Sequence, residues 1–215
     1  HAAWDAERYT TLEAHADDLV GLLTALDVRP VVFVGHSMSG MIGLLASLRA
    51  PDLFHSLVLI GASPCYRELP GYHGGFSDAT VATLLAEADA DLASWMAGFA
   101  RHALGTTGTP LQLRDFLASL GAMRPDTGRA FLRAMMQSDL RAMLTQVTHP
   151  VTIIQAREDF AVPLGVAEYL AAHTPCRAMH ILDVDGHLPH VTHPELLAPV
   201  LRDTLDWAAQ HMAVA

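Results

Sequence analysis

Gly35-His36-Ser37-Met38-Ser39-Gly40 sets a serine between a short apolar run and a segment of helical pattern. A serine at such a junction is held on a sharp turn that exposes its hydroxyl above the edge of a sheet. Strand and helix pass close there, so small residues are needed two positions either side. Gly35 meets that demand, and Ser39, still small, replaces the usual glycine. The backbone N–H of Met38, at the positive end of the helix, can point at a developing oxyanion. A serine hydroxyl is a weak nucleophile and requires an adjacent base. His187, in Asp185-Gly186-His187-Leu188-Pro189-His190, follows a second apolar run and is the candidate base. Asp159 follows a third, through Gln155-Ala156-Arg157-Glu158, and is the candidate for the carboxylate that orients it. Glu158 competes locally; Asp159 is preferred because Phe160-Ala161-Val162-Pro163 then leads into the next helix. The order Ser37, Asp159, His187 differs from the orders of the chymotrypsin and subtilisin triads.

These residues need a scaffold that brings distant stretches to one edge. Leu12, Leu19, Leu22, Leu23 and Leu26 recur at helical spacing after Thr10 and Thr11, which offer N-caps. Residues 31–34, Val-Val-Phe-Val, read as a strand buried on both faces of a parallel sheet. Residues 37–50 turn helical and Pro51 closes them, before a second buried strand at 57–60. Residues 64–75 carry turn chemistry in Pro70-Gly71 and Gly74-Gly75. Helical stretches follow at about 78–90, 91–104, 111–120 and 127–137, with no strand pattern among them. The βα rhythm resumes after Pro150, with strands at 151–154 and 179–182 and helices at 163–172 and 194–210. The expected architecture is α/β: one domain built on a doubly wound, mainly parallel sheet. Its core spans 1–64 and 141–215, and a cap of four helices is inserted at 65–140.

Composition narrows the partners. The chain has 215 residues, 51% hydrophobic and 17% charged, enough for one packed core. Its net charge is −10 and all 13 of its basic residues are arginine. There is no basic cluster to neutralise phosphates, which argues against nucleic acid and against anionic membrane surfaces. The apolar runs are too short to span a bilayer and residues 1–10 have no signal-peptide pattern, so a cytoplasmic location is expected. Cys65 and Cys176 read as two small, half-buried residues in a reducing compartment rather than a disulfide framework. His187, His190 and His193 have the spacing of a metal triplet, but Pro189 and Pro194 break any shared helical face. No metal or other cofactor is expected; one histidine serves as base and the other two as loop residues. Trp95, Met96, Phe99, Met123, Met135 and Met136 are either cap core or the walls of an apolar, adaptable pocket.

With these residues placed, the chain resembles one subfamily of α/β-hydrolases, the plant strigolactone and karrikin receptors and the bacterial stress-signalling hydrolase RsbQ. The likeness runs from about Arg8 to Trp207 and rests on several segments. They include Arg8-Tyr9-Thr10-Thr11-Leu12, Phe33-Val34-Gly35-His36-Ser37, Ser63-Pro64-Cys65-Tyr66, Tyr72-His73-Gly74-Gly75-Phe76, Ser138-Asp139-Leu140-Arg141 and Gly186-His187-Leu188-Pro189-His190. It implies a V-shaped four-helix cap over a deep hydrophobic pocket. Carried over by position, Ser37, Asp159 and His187 would form the triad, and His36, Met38, Phe76, Trp95, Phe99, Met136 and Ala161 the pocket wall. The resemblance implies a small ester or lactone as substrate, and a ligand-controlled protein signalling partner as the alternative function. It departs at position 136, methionine where relatives often carry phenylalanine. The resemblance also implies strands before Arg8 and a loop supplying a second oxyanion N–H, so the chain reads as part of a longer protein.

Overall fold

The computed structural model describes residues 4–212. Among them, four strands form one parallel sheet in the order β1 (Val31–His36), β2 (Phe54–Ile60), β3 (Val151–Glu158) and β4 (Cys176–Asp185). Strand identity follows from alternation. Leu57 and Leu59 of β2 face one layer, with α1 (Leu12–Leu26) and α2 (Met38–Arg49), and pack with Leu12, Met41 and Leu44. Val58 and Ile60 face the other and pack with Ile154, Leu182 and Leu197, the last from α8 (Pro194–Met212). Each such fully buried aliphatic side chain contributes roughly 1.5–3 kcal/mol over its exposed state. Helix α7 (Leu164–His173) joins the first layer through Ala167 and Leu170.

In β1, Val31, Val32 and Phe33 are half-buried and Val34 is 43% exposed; among the described residues β2 is the strand that pairs with it. One expectation changes. Thr11 does stand at the N-cap of α1, but its side chain makes no capping hydrogen bond.

Between β2 and β3 the chain forms α3 (Asp78–Ala90), α4 (Leu92–Ala103), α5 (Pro110–Gly121) and α6 (Pro125–Gln137). Their starts are written in the sequence. Ser77 and Asp91 accept from the backbone of Thr80 and Ser94, and Thr109 with Gln112 makes a complete capping box. Helix α6 is docked onto the amino-terminal segment by a run of stacked rings, Tyr9 on His15 and His15 on Phe131 at 4.8 and 4.6 Å. No described helix is long and apolar enough to cross a membrane.

Candidate active site

Ser37 sits between β1 and α2 with φ 54° and ψ −126°, a left-handed conformation that costs a non-glycine residue energy. Its N–H donates to the carbonyl of Ile60 at 2.8 Å and its carbonyl accepts from Gly40 N–H at 3.0 Å, which over-determines the turn. The close approach needing glycine is between Gly35 and Gly40: a Cβ on Gly35 would lie 2.6 Å from Gly40 Cα. Position 39 has room for a side chain, and the Ser39 hydroxyl donates to the His36 carbonyl at 2.7 Å. That explains why serine stands there in place of glycine.

Asp159 follows the last residue of β3, and His187 lies two residues beyond β4, so all three side chains meet over the carboxyl edge of the sheet. The Ser37 hydroxyl and His187 Nε2 are 2.9 Å apart, and His187 Nδ1 is 2.7 Å from Asp159 Oδ2. The other carboxylate oxygen, Oδ1, accepts from the N–H groups of Ala161 and Val162 at 2.9 and 3.1 Å. Gln155 Nε2 donates to Oδ2 at 3.3 Å and to the Val162 carbonyl at 2.9 Å. Both partners of the His187–Asp159 pair are buried. A carboxylate with these acceptors filled takes the Nδ1–H of the imidazole, which leaves Nε2 to accept the serine proton. Glu158, the local competitor, is exposed at the end of β3, and its backbone carbonyl accepts from Gly186 N–H at 2.9 Å.

The cap helps hold the histidine loop. Gly186 has φ 90°, and a Cβ there would lie 2.9 Å from the Ala103 carbonyl. That same carbonyl, at the end of α4, accepts from His187 N–H at 2.8 Å and from Leu188 N–H at 3.1 Å. A side chain at position 186 would therefore separate cap from core at this junction.

A cavity of about 630 Å³ opens on Ser37 and His187. Phe76, Trp95, Phe99, Met136 and Ala161 line it, as do Tyr66 and Phe160. Trp95 stacks on Phe99 at 5.4 Å, Phe99 meets Phe160, and Phe160 turns its edge to His187 at 6.3 Å. The lining holds Glu87, Asp91 and His102 but neither lysine nor arginine. Tyr66 is the residue that reading the sequence missed: its hydroxyl is 3.2 Å from the Ser37 hydroxyl. Ser63-Pro64-Cys65-Tyr66 leaves the carboxyl end of β2, the same edge as Ser37, and that position was the available signal.

His36 and Met38 lie outside the cavity lining. Met38 begins α2, so its N–H is among those with no partner inside the helix, while its side chain packs into the main core. The His36 ring is wedged between His187 and His190, with centroids 4.6 and 4.5 Å away, and its Nε2–H donates to the His187 carbonyl at 2.7 Å. Burial, and then the neighbouring His187 and His190, push its imidazolium down to about 3 from an ordinary 6.5. The unfolded chain therefore takes up a proton below about pH 6.5 that the folded protein refuses until about pH 3. Stability falls as pH falls through that window, by on the order of 1.4 kcal/mol per pH unit from this group. Urea denaturation between pH 4 and 7 is expected to show a shallower slope for His36→Asn than for the wild type.

The comparisons with known proteins bear on family and fold. The family model described as alpha/beta hydrolase fold matches residues 2–194. A strigolactone esterase of Arabidopsis thaliana is 39% identical over 203 residues, covering 94% of this chain and 76% of the relative. A karrikin insensitive 2 receptor of Petunia hybrida is 38% identical over 199 residues, covering 92% and 74%. Among solved structures, a hydrolase from Oleispira antarctica superposes with a TM-score of 0.90 at 27% identity, covering 95% of this chain and 75% of that one. A parallel sheet with a strained serine at the turn after β1, four helices inserted between β2 and β3, and a family match across most of the length lead to one assignment: the chain belongs to the alpha/beta hydrolase family.

Proposed function

We propose that the protein hydrolyses small, mainly apolar carboxylic esters or lactones through an acyl intermediate on Ser37. The observation that carries this reading is the hydrogen-bonded line from Ser37 through His187 to Asp159, opening on an aromatic and methionine-lined cavity. Ester hydrolysis is also what the name of the strigolactone esterase describes for that relative. His187 Nε2 takes the Ser37 proton as Oγ attacks the carbonyl carbon, and the C=O electron pair moves onto oxygen. Asp159 holds the imidazole in the productive tautomer and offsets its charge. The Met38 N–H, at the start of α2, faces the developing negative charge. The C–O bond to the leaving group then breaks, and His187 returns the proton to that oxygen. Water repeats the sequence on the acyl-serine and restores the hydroxyl.

Substrate class follows from the walls. Apolar faces favour neutral acyl and alkoxy groups, and an anionic substrate meets Glu87 and Asp91 with neither lysine nor arginine among the lining residues. Purified protein is expected to hydrolyse neutral esters and lactones faster than carboxylate-bearing analogues of equal length, read by pH-stat titration. Absence of hydrolysis across the neutral panel would overturn the proposal.

A second reading, a ligand-responsive regulator of a protein partner, is favoured by the receptor name of the petunia relative. It predicts ligand-dependent capture of that partner by a Ser37→Ala variant that no longer turns over ester.

A further inference from the structure

We infer that Tyr66 is a catalytic residue whose phenol donates a hydrogen bond to the Ser37 oxygen and to the charge that builds around it during acyl transfer. The inference rests on the hydrolase reading above. Tyr66 lines the cavity, yet only 2% of it is exposed, and its hydroxyl lies 3.2 Å from Ser37 Oγ. A buried hydroxyl left without a partner is costly, and among the described residues the nucleophile is the partner this one has.

Chemistry fixes the direction of the bond. The Ser37 proton points to His187 Nε2 at 2.9 Å, so at the second contact the serine oxygen accepts and the phenol donates. Burial raises the phenol well above its ordinary value, so it keeps its proton and does not act as a second base. The ring is held in place by its own backbone, since the Tyr66 carbonyl accepts from Phe76 N–H at 3.0 Å and adjacent Cys65 bridges to Asp139.

In the attack, an electron pair on Oγ forms the bond to the carbonyl carbon, the Oγ proton passes to His187, and the C=O pair moves to oxygen. Tyr66 transfers nothing. Its donor meets an oxygen that is losing a proton, and the other oxygens of the tetrahedral carbon are one bond angle away. A hydrogen bond to an oxygen gaining charge is stronger than one to a neutral hydroxyl, so the contact favours the transition state over the ground state.

Tyr72 supplies an internal control. It is also buried, but its hydroxyl donates to the Cys65 carbonyl at 2.8 Å. Tyr66→Phe is expected to lower kcat by about 10- to 100-fold with KM within about threefold of wild type. The same factor is expected for an activated aryl ester and an unactivated alkyl ester. The rate at which a fluorophosphonate labels Ser37, which reports folded protein alone, is expected to fall in parallel. Tyr72→Phe is expected to leave both rates near wild type. Four results would each overturn the assignment: kcat within about threefold of wild type, a loss matched by Tyr72→Phe, a loss confined to KM, or a loss confined to the unactivated ester. Wild-type protein inert to both esters and phosphonate would instead remove the hydrolase reading, and this role with it.

Discussion

Replacing Ser37 with alanine is expected to lower kcat for ester hydrolysis by roughly 10⁵- to 10⁶-fold, to the level left by binding and backbone donors alone. The size follows from the division of labour at the site. The Ser39 hydroxyl at the same turn is engaged by the His36 carbonyl, and the Tyr66 hydroxyl, 3.2 Å from Ser37, is kept protonated by burial. The variant keeps the backbone of the turn, because the hydrogen bonds at position 37 to Ile60 and Gly40 come from the main chain. Alanine is also no worse than serine at φ 54°, so the expected stability cost is that of the hydrogen bond the Tyr66 hydroxyl loses, about 1 kcal/mol. Loss of turnover far beyond so small a loss of stability separates a nucleophile from a structural serine. Retained activity would show that the ester is cleaved elsewhere.

Asp159→Asn is expected to cost roughly 10³- to 10⁴-fold in kcat, with KM nearly unchanged. The amide oxygen can take the place of Oδ1, where the N–H groups of Ala161 and Val162 already point. That leaves the NH₂ facing His187 Nδ1, which must then accept, and the imidazole proton moves to Nε2. A ring protonated at Nε2 cannot take the Ser37 proton. Alanine at 159 removes the acceptor without imposing the wrong tautomer, but it orphans two buried N–H groups, so its loss mixes stability with chemistry. Measured kcat and KM on folded Asp159→Asn protein decide the matter; a loss below about tenfold would show that the carboxylate does not set the tautomer.

Much of the site was legible because each element announces itself locally. A strand needs β-branched and aromatic residues, and a nucleophile turn needs small ones around it. Residues 31–40 supply both signals within a few positions, and Asp159 and His187 each stand just past an apolar run. The caps of α3, α4 and α5, at Ser77, Asp91 and Thr109, are equally local signals, though those helices were expected from their apolar spacing alone. What the sequence could not convey was tertiary. His36, two residues from the start of α2, was expected against the ligand; packing turns it instead between His187 and His190. Tyr66 lies 29 positions from Ser37, and only the register of β1 beside β2 brings the two hydroxyls together. Gly40 rather than position 39 takes the close contact with Gly35, a matter of where the first turn of α2 crosses the strand.

Acid-quenched protein taken during steady turnover of a slowly hydrolysed ester, digested and mapped by mass spectrometry, bears most directly on the chemistry proposed here. The account predicts one added acyl group, carried by the peptide containing Gly35-His36-Ser37-Met38 and absent from the Ser37→Ala variant. An acyl group on any other side chain, or turnover with no covalent species at any quench time in wild type and Asp159→Asn alike, would contradict it.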